Sequence, residues 1–129
     1  MKELLKAIRT AAAANASLWT ACGGRFNYGW AMDKTMPYIT YFVVSSVPRR
    51  AFRKADDFED ALVQFSLFDD RKGVENIEDL WAKLDAVFDR AALTYATRAH
   101  VGCIRQRTGS PERTEDCWMW TTDYRIEFH

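Results

Sequence analysis

The sequence predicts an α+β fold, a mostly antiparallel sheet of about four to five strands with two main helices packed on one face. Three observations carry that expectation. Ala61 to Phe68 (ALVQFSLF) and Cys117 to Phe128 alternate with a period of two, Ile77 to Phe88 repeats with a helical period, and these elements come in the order helix, strands, helix, strands. At 129 residues the chain is long enough for one domain with a real core and too short for two ordinary ones, so residues 1–129 are read as a single domain.

Lys2 to about Ala14 reads as the first helix, with Leu4, Leu5, Ile8, Ala11 and Ala12 on one side and Lys2, Glu3, Lys6 and Arg9 mostly on the other. Ser17 is a candidate cap for a short second turn through Trp19 and Ala21, stopped by Gly23 and Gly24. The period then changes. Phe26, Tyr28 and Trp30 alternate with Arg25, Asn27 and Gly29, which predicts a short strand, and Pro37 introduces a longer one from Tyr38 to Val47. That second strand is apolar on both sides, with Tyr38, Phe42 and Val44 on one face and Ile39, Tyr41, Val43 and Val47 on the other. It is therefore expected to be central and covered twice, one cover being available from another subunit.

The next strand separates its faces more cleanly: Ala61, Val63, Phe65 and Leu67 lie opposite Leu62, Gln64, Ser66 and Phe68. After the turn-like DDRKG, a helix places Ile77, Leu80, Trp81, Leu84, Val87 and Phe88 at i, i+3, i+4, i+7, i+10 and i+11, all on one side. Burying six such side chains contributes about 9 to 18 kcal/mol before entropy is counted, so the helix belongs to the core. Its other face carries Glu78, Asp79, Lys83, Asp85 and Asp89, with Asp79 and Lys83 in the favourable acid-then-base order. A shorter strand around Val101 to Arg107 and a polar loop, TGSPERTED, precede the last strand, where Trp118, Trp120, Tyr124, Ile126 and Phe128 alternate with polar residues. Phe65, Leu80, Trp81, Leu84, Phe88 and Trp120 are assigned to the core; truncating Phe65, Trp81, Phe88 or Trp120 to alanine is expected to cost about 3 to 5 kcal/mol.

Composition narrows the function classes. Eighteen basic and 18 acidic residues cancel, so no global field draws the chain to nucleic acid or an anionic membrane. Cys22, Cys103 and Cys117 are odd in number and lack paired spacing, which favours a reducing compartment over a disulfide framework. The start MKELLKAIRT has no signal-peptide run, and no segment reaches the roughly 18 apolar residues of a membrane span. Synthesis and assembly in a cytosol are expected. Five Trp, five Tyr and eight Phe exceed what a minimal core needs, and aromatic side chains are enriched at interfaces.

Motifs for chemistry are weak. His100 and Cys103 form an H-x2-C pair, with Cys117 and the terminal His129 as conceivable further ligands, but zinc sites usually show two close ligand pairs. Cys22 is far in sequence from either histidine, as a thiol nucleophile would not be. Gly23 and Gly24 follow a helix and precede a strand, the wrong order for a phosphate cradle. Asp56, Asp57, Glu59, Asp60, Asp69 and Asp70 cluster in turns and flanks, where solvation is the ordinary explanation. The chain is accordingly expected not to be an enzyme and to take no cofactor and no metal.

The strongest local charge lies in PRRAFRKADDFED, where Arg49, Arg50, Arg53 and Lys54 run into Asp56, Asp57, Glu59 and Asp60. A solvated loop between two strands accounts for it. So does a protein contact, because a loop positive at one end and negative at the other suits head-to-tail association of identical subunits. A nucleic-acid loop would use the basic residues with Phe52 to stack, but its acidic half repels phosphate.

Together, an N-terminal helix with ELLKAIR, the PYITYF strand after a proline, a charged hairpin, the LVQFSLF strand, the LWAKLDAVFDR helix and a final strand ending DYRIEF resemble the tail completion proteins. These are the tail terminators, of the lambda type, found in long-tailed bacteriophages and gene transfer agents. The resemblance spans almost the whole chain through the order and patterning of its elements. It implies a virion structural protein of the neck-proximal tail end, assembled in the host cytoplasm. Such proteins form a ring, typically a hexamer, that caps the tail tube, stops its polymerisation and offers a joint to the neck. The implied partners are further copies of the chain, the tail tube protein and the neck or stopper protein, with DNA passing through the lumen without sequence-specific binding and no membrane involved. Arg49, Arg50, Phe52, Arg53, Lys54, Asp56 and Asp57 are the expected contacts to a neighbouring subunit or the tube. Three other readings stay open: a head-to-tail connector (stopper) of the neck; a small cytosolic ligand-binding domain or enzyme using Gln64, Ser66, Asp123 and Arg125; and a nucleic-acid binder acting through Arg49 to Lys54.

Overall fold

The structure, a computed structural model, describes residues 2–50 and 58–129. Three helices and six strands follow in the order α1 (Lys2–Ala14), α2 (Ala16–Ala21), β1 (Phe26–Tyr28), β2 (Tyr38–Arg49), β3 (Phe58–Asp69), α3 (Val74–Phe88), β4 (His100–Thr108), β5 (Glu112–Arg113) and β6 (Trp118–Phe128). One sheet runs β1-β2-β3-β6-β4, with β5 added to β6 beyond the end of β4. Every pairing is antiparallel except the short parallel β1–β2 ladder. The α+β class with a largely antiparallel sheet is as expected, with one strand more.

The helices cover the face formed by Ile39 and Tyr41 of β2, Ala61, Val63, Phe65 and Leu67 of β3, and Tyr124, Ile126 and Phe128 of β6, all buried. Leu4, Ala7, Ile8 and Ala12 of α1 and Ile77, Leu80, Leu84 and Phe88 of α3 pack down onto them. At the centre Phe65 lies 4.8 Å from Phe88, 5.5 Å from Tyr124, 5.8 Å from Tyr41 and 6.0 Å from Phe26, ring centroid to centroid. Trp81 and Trp120 sit at the margin of this core, half-buried, with rings stacked at 5.2 Å and 5°. Arg105 lies over the Trp81 ring at 5.2 Å, and Trp120 donates through Nε1 to Thr108 Oγ1 at 3.0 Å.

Three local expectations are corrected. The cap of α2 is Asn15 rather than Ser17: its Oδ1 accepts from Leu18 N–H at 3.0 Å, which starts the helix two residues earlier than a Ser17 cap. The first strand stops at Tyr28, since Gly29 adopts a positive φ of 80° and turns the chain away before Trp30. Strand β2 is not central, and within the chain the helices cover one of its faces. It neighbours the edge, β1 shields only Ile39 to Tyr41, and a bulge between Val43 and Ser45 slips the register by one. That slip puts Val47 opposite Asp60, on the face away from the helices.

Candidate functional site

The loop end of the β2–β3 hairpin carries a charged cluster built by sheet register. Arg49 pairs with Phe58, Val47 with Asp60, and Leu62 with Arg125, so one face of three adjacent strands brings Arg49, Asp60 and Arg125 together. Asp60 is buried, with its side chain only 10% exposed. Its carboxylate accepts from Arg49 Nη2 at 3.1 Å, from Arg125 Nε at 2.9 Å and from Arg125 Nη2. The Arg125 hydrogen bonds, followed by those of Arg49, hold the Asp60 carboxyl below its ordinary pKa of 3.8. Arg125 also reaches Glu127 at 3.4 Å, and Ser46 Oγ lies 3.1 Å from Glu59 Oε2. The cluster thus ties the loop end of the hairpin to β6.

Arg50 is exposed just past the end of β2. The remaining expected contact residues, Phe52, Arg53, Lys54, Asp56 and Asp57, lie outside the described residues.

Beside the cluster, Ser45, Val47, Asp60, Leu62, Gln106 and Arg125 line a cavity of about 280 Å³. Its two charged groups, Asp60 and Arg125, are spent on each other. Of the polar set proposed for a ligand site, Gln64 and Asp123 are cross-strand partners and Ser66 faces Thr121, whereas Arg125 is turned to Asp60. Asp123 Oδ2 lies 3.7 Å from Arg107 Nε, and its Oδ1 has no hydrogen-bond partner among the described residues.

The cysteines are buried and unpaired: Cys103 faces the core, where desolvation pushes its thiol up to about 12, and Cys117 sits by the Thr114 hydroxyl. Among the described residues no three His, Cys, Asp or Glu side chains gather as a metal set, and no helix is long and apolar enough to cross a membrane. On the helical side Asp85 accepts from Tyr124 Oη at 2.6 Å and from Arg105 Nη1 at 3.0 Å, which pins α3 to β6 and β4. Burial, then the Asp85 carboxylate, push the Tyr124 hydroxyl above its ordinary pKa, so it stays a donor. These contacts fasten α3 to the sheet.

Sequence reasoning did not single out the Arg49–Asp60–Arg125 cluster, because its members are 11 and 65 residues apart and only the strand order joins them. It places Trp30 in a strand and does not single out Met32; the structure leaves them 73% and 80% exposed.

No protein-family model matches the chain. No curated protein matches it either. Among solved structures, a chain from the virion of a native gene transfer agent particle superposes with a TM-score of 0.78 at 18% identity, covering 98% of this chain and 95% of that one. A second solved chain, which carries no functional name, matches with a TM-score of 0.58 at 16% identity over 97% and 96% of the two chains. From end to end, then, this chain has the fold of a gene transfer agent virion component.

Proposed function

We propose that the chain is a virion structural protein, the tail terminator of a phage-like particle. In this role its subunits form a ring, of six as is typical for such proteins, that caps the tail tube, ends its polymerisation and presents a surface to the neck. The observation that carries the proposal is the end-to-end fold match to a chain of a gene transfer agent virion, agreeing with the element-by-element resemblance to tail completion proteins. Two features of the molecule support it. Buried polar groups such as Asp60 and Tyr124 are engaged in holding strands and helices together. The loop end of the β2–β3 hairpin, at Arg49, is tied to β6 through Asp60 and Arg125, which fixes where the connection leaves the sheet.

In this account the Arg49 to Asp57 connection contacts a neighbouring subunit or the tail tube protein, and the neck or stopper protein binds the opposite side of the ring. DNA passes through the lumen without base-specific contacts. The experiment is deletion of the gene in a producing host, with tail length and head attachment scored by electron microscopy. Overlong or ragged tubes with unattached heads are expected. Tails of normal length with leaking heads would instead assign the stopper role, and unaltered particles would refute a structural role. Reversing the charge of Arg49 and Arg50 in the restored gene should reproduce the deletion phenotype; normal particles would remove the hairpin from the contact.

A further inference from the structure

Among the described residues, the exposed large apolar side chains are segregated. Tyr28, Trp30, Met32, Phe42, Val44 and Val47 lie at the β1–β2 side of the sheet, while Val101 and Ile104 lie on β4, the opposite edge. The helices contribute none of them. Strand β1 makes its last contact with β2 where Gly29 N–H donates to the Tyr41 carbonyl at 2.8 Å. The chain then leaves the sheet and carries Trp30 and Met32 in the connection that returns to the start of β2 at Tyr38, while β2 from Phe42 onward has no strand beside it on that side. An indole and a thioether this exposed gain little from their own fold, and paired apolar patches of this kind mark contact surfaces.

We propose that the Trp30–Met32 loop of one copy seats on β4 of the next copy, against Ile104 and Arg107, joining copies head to tail. The occupant follows from three features. First, the two patches differ and sit on opposite edges of one sheet, so the contact is heterologous, the type that closes into a ring when the rotation allows. Second, β2, β3, β6 and β4 reverse direction at each step, so β4 runs opposite to β2. If the sheets of successive copies continue in one sense, the loop beside the start of β2 meets the Arg107 end of the neighbour's β4. Arg107 is available there: its side chain is 71% exposed and its ion pair with Asp123 is a loose 3.7 Å. It can lie over the Trp30 ring and face Asp33, whose carboxylate accepts from Thr35 N–H at 2.9 Å and is kept ionised by the Thr35 hydrogen bonds. Third, both edges resist direct strand pairing. β2 carries Pro48 and the Val43/Ser45 bulge, and β4 has bulges at His100/Gly102 and Arg105/Arg107, which leaves side chains to make the contact.

The inference rests on the reading of a ring-forming subunit, and the test separates the two. The purified chain, the Trp30→Asp variant and the Ile104→Asp variant are compared by sedimentation velocity over a range of concentrations, with melting temperature as the control for folding. The wild-type chain is expected to form oligomers that grow with concentration, and each variant to sediment as a monomer with an unchanged melting temperature. Each variant retains one intact surface, so an equimolar mixture of the two should form dimers and nothing larger. A monomeric wild type, a variant that assembles like the wild type, or a mixture that stays monomeric overturns the contact. If Trp30→Asp assembles normally but fails to cap tubes, the loop belongs to the tube protein and the contact is again wrong. Copies that associate as described while gene deletion leaves particles unaltered would overturn the terminator reading instead.

Discussion

Replacing Asp60 with asparagine tests whether the loop end of the β2–β3 hairpin is held by charge. In the wild type the carboxylate accepts from two guanidinium groups and is itself nearly shielded from water. An asparagine keeps the shape but loses the charge and one acceptor, and its amide N–H₂ must face a guanidinium. Breaking a fully buried pair costs about 3 to 5 kcal/mol. Here Arg49 and Arg125 are 51% and 40% exposed, so solvent screens part of the interaction and about 1 to 2 kcal/mol is expected near neutral pH. The pH dependence supplies the sign. Because the folded pKa of Asp60 lies below its ordinary value of 3.8, the contribution is complete above that value and is lost as pH falls through the folded pKa. Urea unfolding of both proteins should therefore show a stability gap that is constant from neutral pH down to about 5 and closes in strong acid. A gap that persists unchanged into strong acid, or none at pH 7, would refute the reasoning.

Two further outcomes follow from local structure. Asn15→Ala should lower stability by about 1 kcal/mol through loss of the α2 cap, whereas Ser17→Ala should be nearly neutral; equal effects in urea titrations would contradict the assignment of the cap. The buried thiols of Cys22, Cys103 and Cys117 should resist a thiol reagent at pH 8 in the native protein and react fully in denaturant, Cys103 slowest because burial raises its pKa to about 12; rapid native labelling of Cys103 would place it outside the core.

What could be read from the sequence was whatever repeats with a clean period. The stripe from Ile77 to Phe88 and the alternation of Ala61 to Leu67 each report a single buried face, and those faces meet in the core. Tyr38 to Val47 reads as a central strand because it is apolar on both sides; in the fold it neighbours an edge, Phe42 lies on the face away from the helices, and a bulge moves Val47 onto that face. Trp81 and Trp120 read as core residues on size and spacing; in the fold they pack against the core half-buried, stacked on each other at its rim with Arg105 alongside. The Arg49–Asp60–Arg125 cluster depends on the neighbour order β2-β3-β6, which no local pattern encodes. Trp30 looked like the third residue of an alternating strand; the positive φ of Gly29 ends that strand and makes the tryptophan a loop residue.

The most direct test of the central claim is quantitative peptide mass spectrometry of density-purified particles from a producing host. A virion terminator predicts this chain in the particles at a fixed, low copy number, far below the tube protein and lost together with tails when tailless heads are purified. Its absence from intact tailed particles would contradict the account.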